Sequence, residues 1–277
     1  MHKRLVLVVC LLTANVVYAA QDNANNIWLS YSQDANDTTS KAVLLTLGLG
    51  VDDQLILGAA QTDSQYNAQT LSTNDYSLTY RTLRLSPWSL DLGYDYWGKA
   101  QELEIRTITI APVWQGGMWS VGLNLEQRNI TFYSRQFISG QYSRDMDSTG
   151  IGPEVDLIAG AWSWSLTGMR YSYSRDLSNL NLTRVLLLLG ARTFLHTTTL
   201  TDWYATTQLK YDFTTFALGA KYSHSISALD QQATDSVSGL VNLIFSKTVS
   251  LELEAGRVYA PIDVTTDFAS AGLSIDF

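Results

Sequence analysis

Cysteine is nearly missing from this chain of 277 residues, in which Cys10 is the single example. Cys10 lies in a segment that we predict to be removed on export, so the mature chain would hold no cysteine. That absence excludes disulfides, thiolate metal sites and a cysteine nucleophile from the mature protein.

Charge and proline are also scarce. Charged residues make up only 16% of the chain, which contains 4 prolines. The formal net charge is −8, and removal of Lys3 and Arg4 with the leader would leave −8 − 2 = −10. An acidic balance of this size argues against nucleic acid as a partner, because phosphates are bound by basic surfaces.

Long apolar runs are the third absence. Hydrophobic residues make up 46% of the chain, yet after the leader no apolar run reaches the roughly 20 residues of a membrane helix. The apolar residues are dispersed instead, and tyrosine (15) and tryptophan (8) are abundant. Such amphipathic rings are typical of the interface girdles of membrane β-barrels.

The amino terminus has the pattern of an export signal. Residues 1–4 are basic, residues 5–12 are apolar and residues 17–20 end in small side chains. The apolar stretch is shorter than a membrane anchor requires. We therefore predict a cleaved signal peptide at residues 1–20, followed by one domain at residues 21–277.

From residue 26 onward the chain consists of alternating segments of about ten residues divided by turn signals, which predicts about sixteen strands. The two weakest strands are 181–190 and 192–200, a hairpin that would bend near Gly190, so fourteen strands is the alternative. The other predicted strands are 26–33, 41–50, 54–62, 73–84, 88–97, 101–112, 118–131, 149–159, 161–175, 203–212, 215–226, 235–246, 249–258 and 266–277.

Connection lengths alternate between short and long, as in barrels with tight turns at one end and loops at the other. The predicted tight turns are 51–53, 85–87, 113–117, 160, 213–214 and 246–248. The predicted loops are 33–40, 63–72, 132–148, 176–180, 227–234 and 259–265.

The last strand alternates between an apolar and a polar face: Leu273, Ile275 and Phe277 share one parity, and Ser274 and Asp276 the other. It resembles the C-terminal strand of Gram-negative outer-membrane β-barrels. The resemblance implies an all-β, transmembrane, antiparallel up-and-down barrel in the cell outer membrane. It also implies lipids and lipopolysaccharide as surroundings, and an assembly machinery that reads these three apolar residues. A soluble β-sandwich is the alternative.

Aromatic residues bracket the apolar rows that such a barrel would turn toward lipid. Trp88 and Tyr96 lie on one predicted strand, and Trp203 and Tyr211 on another. Eight residues span about 27 Å along a strand, or near 20 Å along the membrane normal after a tilt of about 40°. We predict these four side chains at the two membrane interfaces.

The opposite face predicts an acidic interior. A water-filled interior of this kind would favour small cations, whereas the same charges could instead pair and brace a filled barrel. The predicted interior residues are Asp91, Asp95, Glu102, Glu104, Arg106, Glu126, Arg128, Glu154, Asp156, Glu252 and Glu254.

No catalytic, metal or cofactor site is predicted. His224 has Ser223 and Ser225 as neighbours, but these serines have the opposite parity, and His196 offers no better arrangement. The sequence therefore predicts a pore for small polar solutes. A closed barrel with a structural, adhesive or partner-binding role is the alternative, and a lipid-modifying enzyme is a weaker one.

Overall fold

The computed structural model describes residues 25–35, 37–66, 69–99, 102–136, 140–175, 200–261 and 264–277. No helix in these ranges is long and apolar enough to cross a membrane. The strands are β1 (Asn26–Asp34), β2 (Thr39–Gly48), β3 (Asp53–Tyr66), β4 (Gln69–Thr82), β5 (Trp88–Lys99), β6 (Leu103–Gly116), β7 (Trp119–Gln136), β8 (Gly140–Ala159), β9 (Trp162–Tyr173), β10 (Thr201–Asp212), β11 (Phe216–Ser227), β12 (Ala233–Ile244), β13 (Val249–Ala260) and β14 (Val264–Asp276).

Each strand pairs with its neighbours in the sequence, and β1 pairs with β14, so the sheet closes into a barrel. All pairs are antiparallel; the closing pair runs from Asn26 opposite Asp276 to Asp34 opposite Phe268. Closure leaves no edge strand, so the backbone hydrogen bonds of the wall are satisfied within the wall itself. The predicted all-β up-and-down barrel is confirmed.

Strand number is settled at fourteen by the pairing of β9 with β10, in which Trp203 lies opposite Arg170 and Tyr211 opposite Trp162. No further strand separates them in the sheet order. The predicted hairpin of 181–190 and 192–200 lies almost entirely outside the described residues. Leu200, which the structure does describe, precedes β10 and is not itself in a strand.

The two ends of the barrel differ. The terminal end carries Asn26 and Asp276 together with the short turns, two of which are only two residues long and begin at Gly117 and Gly160. Both glycines have positive φ angles, 61° and 64°. Glycine adopts this conformation without the steric cost that a Cβ adds, which suits a tight hairpin turn. We call the opposite end the loop end.

Several predicted connections are in fact strand. The ladder of β3 and β4 continues from Asp63 opposite Ser72 to the last pair before the turn, and that of β7 and β8 continues beyond Phe132. Residues 63–72 and 132–148 are rich in polar side chains, which led to the loop prediction. Backbone hydrogen bonds do not require an apolar face, so strands extend beyond an apolar band. The predicted turn 113–117 is also shorter, because Val113 still pairs with Ser89.

Candidate functional site in the barrel interior

Strand register assigns each side chain to one of two faces. On β5, Trp88, Leu92 and Tyr94 are exposed on the outer face, while Ser89 is buried on the inner face. The inner face carries far more acidic than basic residues. The acids are Asp34, Asp75, Asp91, Asp95, Glu126, Glu154, Asp156, Asp212, Glu252, Glu254 and Asp276. The bases that the register of the described strands places on this face are Arg81, Arg128, Arg144, Lys210 and Lys221, with Lys99 at the loop-end rim.

Three of the predicted interior residues lie elsewhere. Glu104 and Arg106 have the parity of Ile108 and Ile110, which are exposed on the outer face of β6. Glu102 lies outside the strands and pairs with Lys99 at 2.7 Å. The other predicted residues are on the inner face: Asp91, Asp95, Glu126, Arg128, Glu154, Asp156, Glu252 and Glu254.

The apolar pattern of β6 explains this correction. Leu103 and Ile105 are buried, whereas Ile108 and Ile110 are exposed, although the pairing with β5 keeps one register from end to end. The apolar row therefore changes parity along one regular strand. Our sequence prediction treated Glu104 and Arg106 as the polar face opposite an outer apolar row. In the structure that apolar row, at the loop end, points inward.

Several inner-face acids are held by basic partners on other strands, both adjacent and more distant in the sheet. Arg81 donates Nε to Asp91 at 2.8 Å and its terminal nitrogen to the same carboxylate at 2.6 Å. Lys210 lies 3.2 Å from Glu252. Glu254 accepts from Ser238 at 2.6 Å and lies 3.8 Å from a lysine. These pairs connect strands across the inner face and reduce the net field of the acids they engage.

Arg128 is the centre of the most densely bonded group. Its Nε donates to Glu126 at 2.9 Å, its guanidinium carbon lies 3.9 Å from the centroid of Tyr171, and it also donates to the hydroxyl of Tyr171. That hydroxyl donates to Glu126 at 3.1 Å. The Tyr204 ring lies 6.5 Å from that of Tyr171. The guanidinium thus combines a charge-assisted pair with stacking on an aromatic face, a combination that lysine cannot reproduce.

Other inner-face acids have no basic partner within 4 Å among the described residues. Asp75 and Asp95 lie toward the loop end, and Asp156 lies near the terminal end. One oxygen of Asp156 is buried without a hydrogen-bond partner in the described part of the chain. Glu154 accepts only a neutral bond, from Asn124 at 3.2 Å. These four side chains are thus inner-face acids without a compensating cation nearby among the described residues.

The loop end of the interior is apolar instead. Six apolar side chains line the inside of the barrel at this end, and each of them is exposed by 8% or less. We call these six residues the loop-end cap. Trp97, Tyr173, Ala228 and Leu229 pack against it. The cap residues are Leu103, Ile105, Ile130, Phe132, Met146 and Leu200. Sequence reasoning missed this group, and the change of apolar parity within β6 and β7 was the signal for it.

Next to the cap lies a cavity of about 940 Å³. Tyr171, Tyr173 and Glu126 of the wall and Ala228 of the turn between β11 and β12 contribute to its lining. Tyr173 and Ala228 therefore contact both the cap and the cavity. The loop-end half of the interior is thus apolar on one side, whereas tyrosines, carboxylates and the arginines Arg170 and Arg175 line the cavity on the other.

The outer face carries aromatic side chains at two levels. At the terminal end Trp162 and Tyr211 meet edge to face at 4.7 Å, and Phe213 stacks on Phe216 at 4.5 Å. Trp88 is exposed at the same end, opposite Trp114. Toward the loop end Tyr76 stacks on Tyr96 at 6.1 Å, and Trp203 lies 4.9 Å from the His224 ring. All four predicted interface aromatics are thus placed on these two levels, with exposed aliphatic residues between them.

Neither a protein-family model nor a curated protein sequence matches the chain. Among solved structures it is similar to CdiB from Acinetobacter baumannii (TM-score 0.54, 8% identity, 93% of this chain and 60% of that chain covered). It is also similar to the CymD monoaromatic hydrocarbon channel (TM-score 0.53, 9% identity, 92% and 88% covered). The outer membrane protein OpdK from Pseudomonas aeruginosa matches with TM-score 0.47 and 10% identity over 94% of this chain and 100% of that chain.

The two similarities with TM-scores above 0.5 concern the fold alone, and they agree with the closed antiparallel wall. The chain is a closed antiparallel β-barrel. On β14 of this barrel, Leu273 and Ile275 have the outer-face parity, and Phe277 is 66% exposed. Their predicted role in assembly stays a prediction.

His224 lies on the outer face of the barrel near the loop end. Its Nδ1 is 2.8 Å from Asp235, which also accepts from the hydroxyl of Tyr222. The serines on either side of it have the inner-face parity. His196 lies outside the described residues. Within the described chain, no group of three or more His, Cys, Asp or Glu side chains could hold a metal ion.

Proposed function

We propose that this barrel lies in the outer membrane and forms a pore for small polar solutes, with a preference for cations. The observation that carries the proposal is the excess of acidic over basic residues on the inner face. The terminal end would face the periplasm and the loop end the outside. Lipids would contact the apolar outer rows, and lipopolysaccharide would contact the loop-end half. The export signal at residues 1–20 and recognition of β14 by the assembly machinery belong to the same proposal.

The preference for cations follows from the electrostatic potential that the inner-face carboxylates create inside the low-dielectric wall of the barrel. Asp91, Glu126 and Glu252 are compensated by nearby cations. Asp75, Asp95, Glu154 and Asp156 are not, so they set the sign of the potential that a passing ion meets. Carboxylates that line a wet passage concentrate cations and exclude anions. Salt weakens this effect over a Debye length of about 10 Å at 0.1 M.

A closed barrel with a structural or partner-binding role is the second candidate. It is favoured by the burial of the inner-face pairs, since the side chains of Arg128 and Glu126 are exposed by only 12% and 15%. The Arg81–Asp91 pair, which joins β4 to β5, is buried to a similar extent. Ion pairs this far from water leave little space for solute. The two candidates differ in whether the purified barrel ever conducts.

Charge removal in a planar bilayer tests the proposal. We expect the wild type to prefer cations, more strongly at low salt, and the combined Asp75→Asn, Asp95→Asn, Glu154→Gln and Asp156→Asn variant to lose most of that preference. The amides keep the side-chain volume while removing four charges. The measurement is the reversal potential in a potassium chloride gradient at low and high salt.

A matched control removes four outer-face acids, by changing Asp63, Asp145, Asp147 and Asp267 to asparagine. Its reversal potential should equal that of the wild type, because these charges lie outside the wall. Unchanged selectivity in the inner-face variant would refute the role of those four carboxylates. A barrel that never conducts, in any variant, would support the closed-barrel candidate.

A further inference from the structure

The loop-end cap places apolar side chains where a water-filled passage would need polar ones. On β7, Leu123 and Leu125 are exposed on the outer face, whereas Ile130 and Phe132 are buried on the inner face. The pairing of β7 with β6 keeps one register along the whole strand, so the apolar row moves from the outer to the inner face without a shift in strand register. Ile130 is 0% exposed, so water does not reach it in this conformation. The inner wall thus changes from polar to dry toward the loop end.

Part of the cap does not belong to the wall. Leu103, Ile130 and Met146 lie on strands paired on both sides, so their backbone cannot move without breaking the ladders. Leu200 precedes β10, and Leu229 lies in the turn between β11 and β12. These two side chains can leave the cap while the wall stays closed.

Among the described residues, few hydrogen bonds involve these segments. The amide of Ala228 donates to the carbonyl of Leu200 at 2.8 Å, and the hydroxyl of Tyr173 donates to the carbonyl of Thr201 at 2.6 Å. The turn is compact in itself, because the amide of Gln231 donates to the carbonyl of Ser227 at 3.0 Å. Leu200 and the turn are therefore joined to each other by a backbone hydrogen bond, and within the described residues their contact with the cap is apolar.

We propose that the loop-end cap, together with Leu229 that packs against it, is a hydrophobic gate that closes the resting pore, with Leu200 and Leu229 as the movable part. This inference rests on the proposed function and adds how the passage is regulated. Apolar constrictions stop ions because the passage dewets, and an ion entering it would lose its hydration without gaining a partner. Displacement of Leu200 and Leu229 would expose the acidic interior that lies between the cap and the terminal end.

The gate is tested by the Leu200→Ser and Leu229→Ser double variant in a planar bilayer. We expect the wild type to be closed most of the time and the open fraction to rise by about tenfold or more in the variant, because the lost apolar contacts stabilise only the closed state. The control is Leu240→Ser. Leu240 is a buried inner-face leucine of β12 that lies outside the cap, and its replacement should leave the open fraction unchanged.

Cysteine labelling gives a second readout that does not need conduction. With Cys10 as the single native cysteine, an Ile130→Cys change introduces the one thiol of the barrel wall. A membrane-impermeant maleimide should label it slowly in an otherwise wild-type barrel and about tenfold faster or more in the double variant, in proportion to the open population. Heat-modifiable migration on gels verifies that each variant is folded.

The outcomes separate the gate from the pore. A closed wild type, an open double variant and a closed Leu240→Ser control support the gate. Equal conduction by the wild type and the double variant would refute the gate, whereas the proposed pore function would stand. If neither conducts and the thiol introduced at position 130 stays unlabelled in both, the gate is overturned and the closed barrel is supported. An open double variant that prefers anions upholds the gate and refutes the cation preference.

Discussion

Replacing Arg128 with methionine should lower the free energy of unfolding by about 3 kcal/mol, because it leaves the Glu126 carboxylate buried without its cation. The same change removes the guanidinium from the face of Tyr171, 3.9 Å away. Equilibrium unfolding by urea in lipid vesicles, followed by tryptophan fluorescence, measures the loss. We expect this to be the largest effect of any single charge removal on the inner face.

Two further variants separate charge from packing. Arg128→Lys keeps the charge but loses the planar stack and the forked donors, so its loss should be intermediate. Combining Arg128→Met with Glu126→Gln removes both charges, and should recover most of the stability lost in the single change. A double variant as unstable as the sum of its single changes would show that the pair is not the source of the effect.

Replacing Gly152 with alanine should destabilise the barrel by about 3 kcal/mol or more, because the new methyl group would overlap with backbone. A Cβ on Gly152 would lie 1.7 Å from the carbonyl oxygen of Gly168 on the adjacent strand. A side chain could rotate away from such a contact, but a strand held on both sides cannot. The same unfolding measurement, together with heat-modifiable migration, quantifies the effect.

Gly239→Ala is the matched control for Gly152→Ala. Gly239 also lies within a strand, but a Cβ there would meet nothing within 4 Å. Its replacement should be neutral or slightly stabilising, since alanine restricts the unfolded chain. Equal losses at the two positions would mean that the close approach of β8 and β9 is not what requires glycine.

The candidate site was partly accessible to sequence reasoning. The two-residue period placed Asp91, Asp95, Glu154 and Asp156 on one side of their strands, and the structure places them on the inner face. The prediction failed where a second apolar row began, at Glu104. A strand pattern shows that two faces differ, but it does not show which face is inside, because apolar side chains can be buried by lipid or by each other.

The sequence by itself determined the class of this protein: alternation, dispersed apolar residues and turn signals are local properties, and they suffice to predict a closed antiparallel barrel with aromatic levels on its outer face. Tertiary structure alone decided the strand number, the inward direction of the cap and the partners of each inner-face charge. Those features depend on which strands become neighbours and in what register. Arg128 meets Tyr171 across 43 positions of sequence, and no local pattern specifies such a contact. Pairing between distant strands brings these residues together.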